Sequence, residues 1–285
     1  MTKTTLSPSR KSILITGCSS GIGLSAAQVL HKRGYRVFAT ARKAEDVARL
    51  EGLGLESQQL DLDDSRSITA AVDWALERSG GTLFALFNNG AYGQPGAVED
   101  LSRDVLRAQF ETNLFGTQEL TNLIIPVMRR QGYGRIVYNS SLLGFVALSY
   151  RGAYNASKFA LEGLADTLRL ELHATNIHIS LIEPGPIASR FRANSYKKYL
   201  EYIDGESSIH KEAYQSMVGR LTKQGAAVPF TLPSEAVVDR LIHALESDRP
   251  KARYHVTFPT TLFATLKRIL PQRLLDRVLL KVSGS

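Results

Sequence analysis

The sequence predicts an α/β fold, a single doubly wound parallel sheet with helices on both faces. Three observations carry this. Short apolar runs alternate with longer helical patterns through about the first 180 residues, and repeated strand–helix–strand units build parallel sheets. One run, Leu83-Phe84-Ala85-Leu86-Phe87, is so apolar that both faces of its strand must be covered. The 285 residues are 44% hydrophobic and 22% charged, a globular composition able to bury a sizeable core.

The elements follow in order. Residues 12–16 form a strand, and 21–33 a helix whose basic last turn stops at Gly34. A strand at 35–40, a short helix at 45–50, a strand at 56–61 and a helix at 67–78 continue the alternation. Asp63 and Asp64 begin that last helix as caps. The buried strand spans 83–88. Residues 101–130 read as one long helical region, bent where Gly116 and Pro126 interrupt it. A strand at 135–139, a helix at 154–174 and a strand at 177–182 complete the pattern. Residues 188–229 then break it. They are rich in Tyr, Ser and Lys with weak periodicity, and read as a lid or as a surface insertion. A helix at 234–245, a strand at 253–258 and two helices at 261–270 and 272–282, hinged at Pro271, close the chain. No linker divides it. It is therefore one domain (1–285), with a nucleotide-binding and catalytic core at 12–185, a lid at 186–232 and a basic apolar extension at 251–285.

Composition narrows the function. Cys18 is the only cysteine, so no intrachain disulfide and no cysteine zinc site form. A reducing, cytoplasmic location is expected. The six histidines are scattered, and no metal site is expected. The net charge of +8, from 35 basic and 27 acidic residues, is spread along the chain without a nucleic-acid signature. Residues 1–12 lack the apolar core of a secretory signal. No uncharged apolar run reaches the roughly 18 residues of a membrane span. The extension carries Lys251, Arg253, Lys267, Arg268, Arg273, Arg277 and Lys281 beside apolar residues at helical spacing. Peripheral contact with an anionic bilayer is one reading; cover for the domain or for a partner subunit is the other.

The sharpest local signal is Thr16-Gly17-Cys18-Ser19-Ser20-Gly21-Ile22-Gly23, which follows a strand and opens a helix. Its glycines allow a tight turn and close approach of a pyrophosphate to N–H groups at a helix N-terminus. Further along, Tyr154 and Lys158 stand at i and i+4, on one helix face. A free phenol, with a pKa of roughly 10, is a poor proton donor and acceptor near neutrality. An adjacent ammonium is expected to lower that value. Tyr154 would then exchange a proton with a substrate oxygen while a nicotinamide exchanges a hydride at carbon. Alone, such a pair is common on exposed helices; in register with the glycine turn it points to catalysis.

Together these residues resemble the short-chain dehydrogenase/reductase family in its classical type, with a Rossmann-type sheet. The resemblance rests on the spacing of the glycines and on Asn88-Asn89-Gly90-Ala91, where the family carries Asn-Asn-Ala-Gly. It rests further on Asn113, on Ser141 thirteen positions before Tyr154, on Lys158, and on Pro184-Gly185. It is strong over residues 12–189. The whole chain looks most like bacterial NADP-dependent aldehyde reductases related to hydroxysteroid and retinol dehydrogenases.

The resemblance implies a catalytic set of Asn113, Ser141, Tyr154 and Lys158. Ser141 would orient the substrate oxygen, Lys158 would hold the nicotinamide ribose, and Asn113 would hold a water linking Lys158 to solvent. Ser140 is the rival to Ser141 and is read as a packing or backbone partner. Cofactor contacts are implied for Gly17, Ser19, Ser20, Gly21, Ile22, Gly23, Asn89, Gly90, Pro184, Gly185 and Ile187, with Asp61 and Leu62 at the adenine edge. Ala41 stands where NAD users of the family carry an acid, and Arg42 and Lys43 follow. NADP(H) is therefore the expected cofactor. The reversed pair leaves the Ala91 methyl against the cofactor ribose, where it is expected to weaken affinity.

The expected pocket is apolar, lined by Tyr92, Leu142, Leu143, Phe145, Val146 and Leu148, with Phe191, Tyr196, Tyr199 and Tyr202 from the lid. An apolar aldehyde or ketone, reduced to its alcohol, fits that lining. The alternatives are a steroid or retinol dehydrogenase working oxidatively, and a non-catalytic NADP-binding sensor or scaffold. A homo-oligomer packed through the long helices 101–130 and 154–174 is also implied.

Overall fold

The computed structural model describes residues 11–283. The N-terminal stretch weighed above as a signal lies almost wholly outside them. Seven strands form one parallel sheet: β1 (Ser12–Ile15), β2 (Arg36–Ala41), β3 (Glu56–Gln59), β4 (Ala85–Asn88), β5 (Gly134–Asn139), β6 (Ile177–Glu183) and β7 (Arg253–His255). Their spatial order is β3-β2-β1-β4-β5-β6-β7. The order reverses beside β1, which pairs with β2 on one side and β4 on the other. The crevice at the carboxyl ends of the strands there is where such sheets bind ligands.

Alternation of side chains explains the two-sided core. Ile13, Ile15, Val37, Ala39, Ala85 and Phe87 face helices α1 (Gly21–Lys32), α2 (Ala44–Glu51) and α9 (Glu235–Glu246). Leu14, Phe38, Leu86 and Ile136 face α3 (Ser65–Ser79), α5 (Gly116–Gln131) and α6 (Gly152–Glu171) on the other side. The apolar run 83–87 is buried on both faces, as its composition requires. Asp64 caps α3, accepting from Arg66 N at 2.9 Å; Asp63 does not share this role.

The long helical region breaks at a different place from the one expected. Helix α4 (Arg103–Phe110) passes into a single π-helical turn, Glu111–Phe115, before α5 begins at Gly116. Pro126 lies inside α5 on its exposed side, where water satisfies the carbonyl a proline leaves free. Gly116 is required for a different reason. A Cβ there would sit 1.8 Å from Leu62 O.

The excursion resolves into α7 (Phe191–Tyr202) and α8 (Lys211–Thr222). Strand β7 ends earlier than expected because α10 (Phe258–Ile269) begins at once, with proline in its first turn. Pro271 separates α10 from α11 (Gln272–Ser283), as anticipated. Phe263, Leu275 and Leu279 from these two helices are buried with Leu142 and Val146. The extension is thus cover for the domain's own sheet end. No helix among the described residues is long and apolar enough to cross a membrane.

Candidate active site

The glycine turn links β1 to α1. Gly17 and Gly21 adopt φ of +72° and +56°, values that side chains other than glycine rarely take. Gly23 is excluded from carrying a side chain by contact: its Cβ would lie 2.3 Å from Gly17 O. Ser20 occupies the N-cap of α1 without bonding its own helix, so its hydroxyl is free for a ligand. The turn is stitched to the next crossover. Thr16 Oγ1 accepts from the N–H groups of Asn89 and Gly90 at 2.9 and 2.8 Å, and Asn89 Nδ2 donates to Thr16 O at 2.8 Å.

At the reversed pair Gly90-Ala91, a Cβ on residue 90 would meet Leu62 Cδ1 at 3.0 Å and Thr16 Oγ1 at 3.3 Å, and Ala91 borders the cleft.

Ser141 closes the strand end after β5, and its Oγ accepts from Leu143 N at 3.0 Å. That leaves its proton free. Tyr154, in the first turn of α6, is buried, and Phe191 of α7 packs edge-on against its ring at 5.3 Å. Burial pushes the Tyr154 phenol up to about 12, and the Ser141 hydroxyl beside it pulls the other way. The direction is opposite to the lowering expected from Lys158, because desolvation dominates. Lys158 Nζ donates to Asn139 O at 2.7 Å and lies 5.8 Å from the centre of the Tyr154 ring. Burial lowers Lys158 to about 8, while Glu162 one turn on works to raise it. An ammonium carries three protons, so two remain for other partners.

Asn113 sits in the π-turn. Its Nδ2 donates to Tyr92 O at 3.0 Å and Ser157 Oγ at 3.1 Å, and its Oδ1 accepts from Tyr92 N at 3.1 Å. The side chain ties the loop after β4 to α6. Both of its side-chain N–H groups go to protein atoms.

A cleft of about 700 Å³ joins these parts. Gly17, Ser19, Ser20, Gly21 and Ile22 border one end, with Asn89, Gly90, Pro184, Gly185 and Ile187 along its side. Ser141, Tyr154 and Lys158 stand in it, and Leu142, Leu143, Leu148 and Phe191 continue it. Gly23 lies behind the turn. Asp61 and Leu62 follow β3, and Arg42 and Lys43 follow β2 on the exposed rim. No acid among the described residues borders the cleft, so the phosphates of a dinucleotide meet no like charge from them. The glycine cradle, the free Ser20 hydroxyl and the two spare Lys158 protons fit such a cofactor.

Several expected pocket residues lie elsewhere. The Tyr92 ring lies against Lys198 at 5.3 Å, outside the cleft. Phe145 and Val146 pack toward the extension, and the Phe145 ring is 6.1 Å from that of His255. Tyr196 and Tyr199 pack in a cluster with Leu101, Val105, Ala153 and Met217, with Tyr199 at 5.4 Å from Tyr214. Tyr202 stacks beneath Lys198 at 4.9 Å. In their place Met217 of α8 and Leu262, Phe263 and Val278 of the extension border the cleft.

A charged cluster lies one helical turn beyond Lys158. Glu162 stands four residues after Lys158, and its side chain is only 8% exposed. Arg253 bridges it, at 2.9 Å, to Asp166 at 2.7 Å and Glu183 at 3.0 Å, and His255 meets Glu183 at 3.0 Å. Burial raises both glutamates, Glu183 to about 8.

Residues 11–200 match the short chain dehydrogenase family. An uncharacterized oxidoreductase, YbbO, of Escherichia coli strain K12 is 41% identical over 270 residues, 95% of this chain and 94% of its own. Human 17-beta-hydroxysteroid dehydrogenase type 1 is 33% identical over 276 residues, covering 91% and 80%. Among solved structures, an actinorhodin polyketide ketoreductase with NADPH superposes with a TM-score of 0.72 at 27% identity, covering 88% of this chain and 97% of its own. Sheet order, glycine turn and matched sequence agree, and the chain belongs to the short-chain dehydrogenase/reductase family of oxidoreductases.

Proposed function

We propose that the protein is an NADP(H)-dependent oxidoreductase that reduces apolar aldehydes or ketones to alcohols, with Tyr154 as acid and base. The supporting observation is one cleft, with Ser141, Tyr154 and Lys158 between a glycine cradle and an apolar wall. The nicotinamide, when bound, gives a hydride to the carbonyl carbon or takes one back. Tyr154 gives its proton to the carbonyl oxygen as charge develops there. Ser141 donates to the same oxygen and orients it. Lys158 holds positive charge beneath the Tyr154 ring, which stabilises the phenolate left behind. Asn113 positions α6 through Ser157, and Ser157 Oγ donates to Tyr154 O at 2.9 Å.

The choice of NADP(H) is supported by a buried Ala41 followed by exposed Arg42 and Lys43. Arg49 adds a third cation. Its Nη2 donates to Ser19 O at 2.5 Å and pairs with Asp46 at 2.6 Å. A guanidinium forks onto a phosphate where a carboxylate would repel it. A homo-oligomer belongs to the same reading, since Phe115, Phe159, Leu164 and Leu170 lie exposed on the π-turn and α6.

The test is NADPH oxidation against a panel of aldehydes, ketosteroids and retinal, with NADH in parallel. Tyr154→Phe is expected to bind NADPH and to lose about 10²–10⁴ in rate. Unchanged turnover would refute the assigned acid. A panel reduced only with small polar sugars or keto acids would refute the apolar substrate. Arg42→Ala is expected to cost NADPH about tenfold or more in kcat/KM and to leave NADH almost unaffected. An equal loss with both cofactors would remove Arg42 from the 2′-phosphate.

A further inference from the structure

The substrate end of the cleft is apolar, yet the charged residues on its wall are all cations. Arg151, Arg190, Arg192 and Arg220 border it beside Lys158, with neither an aspartate nor a glutamate. Two of these arginines are accounted for. Arg190 adjoins Ser189, whose Cβ lies 3.0 Å from where a Gly21 Cβ would sit, so it belongs to the phosphate end. Arg192 donates to the carbonyls of Arg220 at 3.0 Å, Lys223 at 2.9 Å and Gly225, and so braces the lid.

Arg151 and Arg220 have no such explanation. Arg151 Nη1 is buried without a hydrogen-bond partner among the described residues. It also stands at the N-cap of α6, where the helix dipole disfavours a cation. The Arg220 guanidinium is pulled below its ordinary range by burial alone, with no acid to offset it. Both border the same cleft. Tyr150 and Ala153, on either side of Arg151, share an apolar cluster with Met217 and Leu221, on either side of Arg220. Met217 and Leu221 border the cleft as well. Half-buried cations with no acid beside them are costly unless an anion completes them.

We infer that the substrate is an amphipathic aldehyde or ketone whose end remote from the carbonyl is a carboxylate, received by Arg151 and Arg220. This rests on the reductase reading above. The oxo acid gains a hydride at carbon and the Tyr154 proton at oxygen and leaves as the hydroxy acid. The carboxylate is unchanged and serves only to hold the chain in register.

The experiment compares 10-oxodecanoate, its methyl ester and decanal in NADPH oxidation by the full-length protein. The acid is expected to exceed the ester about tenfold or more in kcat/KM, mainly through KM. Arg220→Gln is expected to collapse that acid-to-ester ratio toward one, and Arg220→Lys to keep part of it. Equal values for acid and ester, with decanal and ester both reduced, would overturn the anion site and leave the reductase reading standing. An Arg220→Gln loss equal for acid and ester would make the guanidinium structural and also overturn it. No turnover of any carbonyl would overturn both.

Discussion

Tyr154 and Lys158 are held out of water, and desolvation moves their pKa values apart, each toward the neutral form. The phenol sits at about 12 and the ammonium at about 8. Lys158 is charged below pH 8 and loses its proton above it. Reduction with NADPH is therefore expected to slow as pH rises through about 8, and a rate flat to pH 10 would show that the ammonium is not needed. Stability moves oppositely. Between about 8 and 10.5 the unfolded chain holds the Lys158 proton and the folded chain does not, so folding grows more favourable with pH across that window. Below it the buried charge costs of order 3 kcal/mol. Lys158→Met is expected to raise stability near pH 7 by about 1–3 kcal/mol in urea unfolding while abolishing turnover. The spacing of Tyr154 and Lys158 was legible because a helix repeats locally. The sign of the Tyr154 shift was not, because it depends on what covers the ring: Phe191 comes from 37 residues further along the chain.

At the level of elements, two close approaches govern the site. Gly23 lets α1 start against the backbone of Gly17, and Gly116 lets α5 start against that of Leu62. Gly23→Ala is expected to abolish NADPH binding, read by fluorescence titration, because its methyl would displace the cradle. Gly116→Ala is expected to destabilise by about 1–3 kcal/mol, read in thermal unfolding. Full stability in that variant would mean that α5 moves freely relative to β3. The glycine turn was readable from sequence because its function is local. The π-turn was not. Residues 111–115 carry no breaker, and the turn forms where Asn113 is drawn to Tyr92 and Ser157, residues distant in sequence.

Across the whole molecule, the cleft is walled by three parts of the chain far apart in sequence: the sheet end, α8 and the extension. Phe263 of α10 and Leu275 and Leu279 of α11 pack on Leu142 and Val146, while Ile269, Leu274, Leu280 and Val282 stay exposed. Deleting residues 272–285 removes Leu275 and Leu279 from that cluster. It is expected to raise KM for decanal several-fold more than KM for propanal, since burial of a long chain scales with the apolar wall it meets. Equal effects on both aldehydes would make α11 a general stabiliser.

Sequence by itself determined the sheet, its alternating faces, the nucleotide turn and the Ser141, Tyr154 and Lys158 triplet. The sheet and the Tyr154–Lys158 pair are written in repeats of two and four residues and the turn in a glycine's freedom, while Ser141 is implied by the family resemblance through its place thirteen residues before Tyr154. Only the tertiary structure decided that Phe145 and Tyr199 face away from the cleft, that the basic tail closes it, and that Arg151 and Arg220 are left without partners. Those outcomes depend on which distant surfaces meet, and a buried charge is costly or useful only relative to what surrounds it.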